Sequence, residues 1–259
     1  MPFVSVNGAR LYYETFGAAA LGRAPIVLIH GSTQTGQADW AAVAPRLAAA
    51  GYHVIVPDCR GHGQSDNPHL SYSFAEMAAD TAGLIRALGH EQAHVIGHSN
   101  GGNVALVVVL EHPQVVATGI PQAANAYVSA DLLEKEPRLF DPNRVARDAP
   151  QWLHAMQALH GPTHGPNYWR DLLRLTLNAI LTEPNYTPAD LARVQRPVLV
   201  IQGANDGVNA PAGHARFIAA HIPQAELWAP EGVGHNVHQE REDEWVARVL
   251  EFLQRRGSV

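Results

Sequence analysis

Three short stretches hold the residues able to do chemistry. In Gly97-His98-Ser99-Asn100-Gly101 a serine sits between small residues, with apolar runs before and after it. A strand, a very tight turn and a helix fit that pattern, and the glycines leave the turn the room it needs. The turn lifts the Ser99 hydroxyl to the end of a sheet. It also places the Asn100 N–H at a helix start, where it can donate to an anion. A serine hydroxyl is a poor nucleophile at neutral pH, so it needs a base to take its proton and a carboxylate to orient that base.

In open parallel sheets the functional groups collect beyond the carboxyl ends of the strands. Two apolar runs late in the chain are followed by suitable groups. After 197–202 comes Gly203-Ala204-Asn205-Asp206-Gly207, and after 225–229 comes Gly232-Val233-Gly234-His235. Asp206 is therefore the expected acid and His235 the expected base. Asp131 and Asp190 compete as acids but follow no strand, and His238 competes as base but does not directly follow the glycine turn. The developing oxyanion needs a second donor besides Asn100. The Ser32 N–H in the loop His30-Gly31-Ser32 is assigned to it, and one such donor is worth about 2.7–4 kcal/mol of transition-state stabilisation.

The elements that must position these loops are readable as alternating strands and helices. Asn7-Gly8 between two β-prone runs predicts a hairpin of strands over 3–6 and 9–16. Further strands are expected over 25–29, 52–56, 93–97, 115–120, 197–202 and 225–229. Helices are expected over 38–50, 74–88, 103–111, 214–221 and 242–254. The beat breaks between about 125 and 193, where helices are expected over 152–159 and 168–181, separated by His160-Gly161-Pro162-Thr163-His164-Gly165-Pro166. The expected fold class is α/β: a doubly wound, mostly parallel, eight-stranded sheet. Its core is 1–124 with 194–259, and 125–193 is a helical cap insertion.

The five features His30-Gly31, Asp58-x-Arg60-Gly61-x-Gly63-x-Ser65, Gly97-x-Ser99-x-Gly101, Asp206 and Gly234-His235 stand in one order along the chain. In that order the sequence resembles the α/β-hydrolase superfamily over essentially its whole length. The resemblance implies a Ser-Asp-His arrangement, no cofactor, and a cap that covers the pocket and chooses the substrate. The departures narrow it. Ser99 replaces the elbow carboxylate of haloalkane dehalogenases and epoxide hydrolases. Asn236 stands where many meta-cleavage carbon–carbon hydrolases have Trp and plant-type hydroxynitrile lyases have Lys. The expected activity is hydrolysis of small to medium carboxylic esters through an acyl-enzyme. The alternatives are a lactonase or carbon–carbon hydrolase with the same triad, a perhydrolase, or a ligand receptor on the same fold.

Composition bounds the partners. A net charge of −6 with no long basic stretch argues against nucleic acid. The longest apolar run, Val104 to Leu110, is too short for a membrane span. The first residues lack the features of a signal peptide, and a lone cysteine, Cys59, leaves no intramolecular disulfide. A cytoplasmic monomer or homodimer acting on a small-molecule ester is expected. No metal is expected, because His160, His164, His235 and His238 match no ligand spacing. Asp58 and Arg60 suggest an ion pair bracing the Gly61–Ser65 loop. Trp152, Met156, Tyr168 and Trp169 either line an acyl pocket or pack the cap against the sheet.

Overall fold

The computed structural model describes residues 2–20, 22–209 and 213–256. Strands β1 (Phe3–Val6) and β2 (Ala9–Phe16) form the expected hairpin. Asn7 and Gly8 both take positive φ, 46° and 78°, as a two-residue turn between twisted strands requires. β3 (Ile26–Ile29) follows, then α1 (Gly36–Trp40), α2 (Ala44–Ala49) and β4 (Val54–Pro57). The single helix expected over 38–50 is thus two. Pro45, near the start of α2, has no N–H to carry a helical bond across the junction. α3 (Phe74–Ala87), β5 (Ala93–His98), α4 (Asn100–Glu111) and β6 (Val116–Gln122) complete the first half.

Five helices occupy the interval before the next strand: α5 (Ala130–Leu139), α6 (Pro142–Asp148), α7 (Pro150–His164), α8 (Trp169–Thr182) and α9 (Pro188–Leu191). The chain closes with β7 (Val198–Ile201), α10 (Ala215–His221), β8 (Ala225–Trp228), α11 (Val237–Glu240) and α12 (Glu242–Arg256).

The eight strands form one sheet in the order β1-β2-β4-β3-β5-β6-β7-β8. β1 and β2 are antiparallel to their neighbours, and the pairs from β4 through β8 are parallel. The central strands are buried on both faces, which explains their unbroken apolar runs. Alternation along each strand feeds two cores. Val27, Ile29, Val198 and Val200 pack on the side of α3 and α4, whereas Ile26, Leu28, Leu199 and Ile201 pack with Trp40, Trp245 and Phe252. The strand order 4-3-5 reverses direction at β3, so the carboxyl ends of β3 and β5 flank the crevice where such sheets place their ligands.

α7 runs through the stretch expected to separate two helices. His160 is fully buried, and both its ring nitrogens are engaged by the core loops. Nδ1 accepts from the Gly63 N–H at 2.9 Å, and Nε2 donates to the Thr33 carbonyl at 2.9 Å. Those bonds fix the last turn of α7 against the sheet, and Pro162 is tolerated near the helix end.

Candidate active site

The turn carrying Ser99 is as sharp as its glycines suggest. Ser99 has φ 55° and ψ −118°, a region that costs a non-glycine residue energy and persists only where its surroundings enforce it. A Cβ at Gly97 would collide with the Gly101 carbonyl, and one at Gly101 would collide with the Ile29 carbonyl. Only glycine at both positions lets β5, the turn and α4 approach this closely. The Ser99 N–H donates to the Gln122 carbonyl at 2.9 Å, tying the turn to the end of β6.

The structure brings Asp206 and His235 together beside it. His235 Nδ1 lies 2.8 Å from Asp206 Oδ2. The Asp206 carboxylate is buried and accepts three further bonds: from the Val208 N–H at 2.8 Å, the Asn209 N–H at 3.0 Å, and the side-chain amide of Gln202. With Asp206 on Nδ1, the Nε2 of His235 is left for the cavity that Ser99 and His235 both line. No hydrogen bond joins Ser99 to His235 among the described residues, as is common for such pairs before substrate arrives. The other acids are occupied elsewhere: Asp131 pairs with Lys135 on the surface, and Asp190 forms the capping box of α9 with Thr187.

Ser32 and Asn100 also line this cavity, and among the described residues no hydrogen bond engages the backbone N–H of either. The loop bearing Ser32 is held by a buried network beneath the elbow. Asp39, at 3% exposure, accepts from the Gly31 N–H at 2.8 Å and from His98 Nδ1 at 3.0 Å. Its other oxygen lies 3.1 Å from His238 Nε2. Trp245 Nε1, a donor only, meets Gln122 Oε1 at 2.7 Å, so Gln122 Nε2 donates to His238 Nδ1 at 2.8 Å. His238 therefore carries its proton on Nε2, toward Asp39. Burial pushes the Asp39 carboxyl up, but His98 and His238 outweigh it and hold Asp39 well below the usual carboxylate range. Asp39, His98 and His238 bring metal-ligand-type atoms within 4.8 Å of one another, but in this structure both histidines spend those atoms on Asp39. The His98 and His235 rings are 5.1 Å apart, so this network abuts the half-buried His235.

Asp58 and Arg60 do not pair with each other. Arg60 makes a two-pronged bond to Asp80, at 2.6 and 2.8 Å. Asp58 accepts from the Gly36 and Gln64 N–H groups, each at 2.9 Å, and so braces the loop without Arg60. Cys59 is buried, and burial pushes its thiol up, away from a reactive thiolate.

The cavity has a volume of about 310 Å³ and lies between the strand ends and the helices that follow β6. Of the four aromatic and sulfur candidates, Trp152 lines it, with Nε1 donating to Thr33 Oγ1 at 2.9 Å. Met156, Tyr168 and Trp169 do not: they are buried in the core shared by the helices and the sheet. The sequence reading missed α5 and its end, which supply Leu132, Glu136, Leu139 and Phe140 to the wall. The spacing of Leu132, Glu136 and Phe140, four residues apart on one helix face, was the available signal.

A family model described as the alpha/beta hydrolase fold matches residues 24–242. The serine hydrolase BPHL of Mus musculus is 29% identical over 260 residues, covering 97% of this chain and 85% of that protein. Among solved structures, a hydrolase from Pseudomonas aeruginosa PA01 superposes with a TM-score of 0.79 at 27% identity, covering 97% of each chain. Est816, described as an N-acyl homoserine lactone degrading enzyme, superposes with a TM-score of 0.77 at 28% identity, covering 97% of this chain and 100% of its own.

Proposed function

Because the chain belongs to the alpha/beta hydrolase family and is a hydrolase, we propose that it cleaves small to medium carboxylic esters through an acyl-enzyme on Ser99. The observation that carries this reading is the His235 Nδ1 to Asp206 contact of 2.8 Å, made at the rim of a cavity that Ser99 also lines. In the proposed reaction His235 Nε2 takes the Ser99 proton as Oγ attacks the ester carbonyl. Asp206 holds the imidazole tautomer and stabilises the imidazolium. The Ser32 and Asn100 N–H groups receive the oxyanion, and the alcohol leaves with the proton from His235. Water, deprotonated by the same histidine, then attacks the acyl carbonyl and frees Ser99. No step calls for a cofactor or metal.

The cavity volume is at the small end for ligand pockets, which supports small and medium esters. Among the described residues lining it there is no Lys or Arg. A carbon–carbon hydrolase acting on a carboxylate-bearing substrate would want such a cation there, so the ester reading is favoured. A lactone is a cyclic ester that the same steps would open, and the likeness to Est816 favours that second reading. On this proposal the helices of 125–193 act as the cap that sizes the substrate.

A series of p-nitrophenyl esters from acetate to decanoate tests the reading. Turnover should peak at short to medium chains in wild type and be lost in Ser99→Ala. Turnover that survives in Ser99→Ala would overturn it.

A further inference from the structure

Glu136, a residue at 4% exposure, enters the cavity wall from α5. Among the described residues no hydrogen bond or ion pair reaches its carboxyl. Lys135, its neighbour in sequence, turns outward to Asp131 at 2.7 Å. A buried carboxyl without a partner is costly to keep charged, and burial lifts Glu136 to about 7 while a positive charge on His235 pulls it back in part. An apolar residue would continue the stripe that Leu132 and Phe140 begin.

Two aromatic rings share the same wall. Phe140 and Trp152 meet edge to face with centroids 5.7 Å apart, and the bond from Trp152 to Thr33 fixes the indole. A carboxylate beside aromatic side chains, in a cavity whose described lining has no cation of its own, is what binds an ammonium group by charge and by cation–π attraction. We propose that Glu136, with Phe140 and Trp152, forms a cation subsite that selects esters bearing an ammonium group. This deepens the ester reading and rests on it for the identity of the reacting bond.

Two isosteric pairs place the charge on either side of that bond. Acetylcholine is compared with 3,3-dimethylbutyl acetate, and p-nitrophenyl 4-(trimethylammonio)butyrate with p-nitrophenyl 5,5-dimethylhexanoate. At pH 8 wild type should favour the cation in at least one pair by about tenfold in kcat/KM, the equivalent of one ordinary charge contact. In Glu136→Gln that ratio should fall toward one. Binding is read independently of turnover by titrating n-butyltrimethylammonium into the resting protein, with about a tenfold loss of affinity expected in Glu136→Gln. Equal use of both members of each pair by wild type, with no binding of the cation, overturns the subsite and leaves the ester reading intact. Cation binding that depends on Glu136 without hydrolysis of any ester sustains the subsite and overturns the ester reading. The wild-type comparison decides even if the variant folds poorly.

Discussion

Two buried carboxylates stand on opposite sides of the same cavity and are treated in opposite ways. Asp39, under the elbow, is met by a backbone N–H and two imidazoles and is held well below the ordinary carboxylate range. Glu136, on α5, is met by nothing among the described residues and is lifted to about 7. The carboxylates on the sheet side are paired before substrate arrives, Asp39 by Gly31, His98 and His238, and Asp206 by His235 and two backbone N–H groups. The helical side keeps a carboxylate unanswered among the described residues. Preorganisation belongs where charge develops during reaction, and an unanswered group belongs where a ligand supplies the answer.

The contrast can be broken from either side. The largest effect is expected on the paired side, where Asp206→Asn should leave the fold intact and lower kcat by about 10⁴-fold by frustrating the His235 tautomer. Steady-state kinetics check this, and a variant within tenfold of wild type would remove Asp206 from its role. Asp39→Ala should come next. It strips partners from Gly31, His98 and His238 together, and breaking such a buried set costs about 3–5 kcal/mol. Urea denaturation should show the loss, with activity falling as the Ser32 loop loosens.

Glu136→Gln should act with the opposite sign. The folded state holds the Glu136 proton more tightly than the unfolded chain, so ionising it opposes folding. That opposition is absent below about pH 4, grows as pH rises toward 7, and is complete above it. The variant should therefore match wild type near pH 4 and be more stable at pH 8, by at most about 3 kcal/mol. A stability difference that does not change with pH would contradict this. The smallest effect is expected for Trp152→Phe, which keeps a ring in the wall but loses the bond to Thr33. It should cost about 1 kcal/mol in thermal unfolding.

The same divide separates what was legible in the sequence from what was not. Ser99, Asp206 and His235 could be placed because each follows a strand, and strand ends in a parallel sheet converge on one side. The same logic puts Ser32 and Asn100 in the cavity wall, where both stand, and their donor role belongs to the proposal. The helical side depends on how α5 to α8 pack on one another, which no local pattern reveals. Gly161 and Pro162 suggested a break, but two bonds from His160 to the core carry α7 through it. Met156, Tyr168 and Trp169 have the character of pocket residues, yet the apolar faces they occupy turn into the core. Asp58 and Arg60 are near in sequence, but Asp80 on α3 offers Arg60 a two-pronged geometry that Asp58 does not.

The central claim is that Ser99 carries the acyl group, and it is tested most directly by rapid quenching of wild type mixed with p-nitrophenyl butyrate, followed by peptide mass analysis. The account predicts a butyryl mass on the peptide containing Ser99, formed together with a stoichiometric release of p-nitrophenolate, and neither in Ser99→Ala. An acyl mass on another residue, or hydrolysis by Ser99→Ala at a rate near that of wild type, would contradict it.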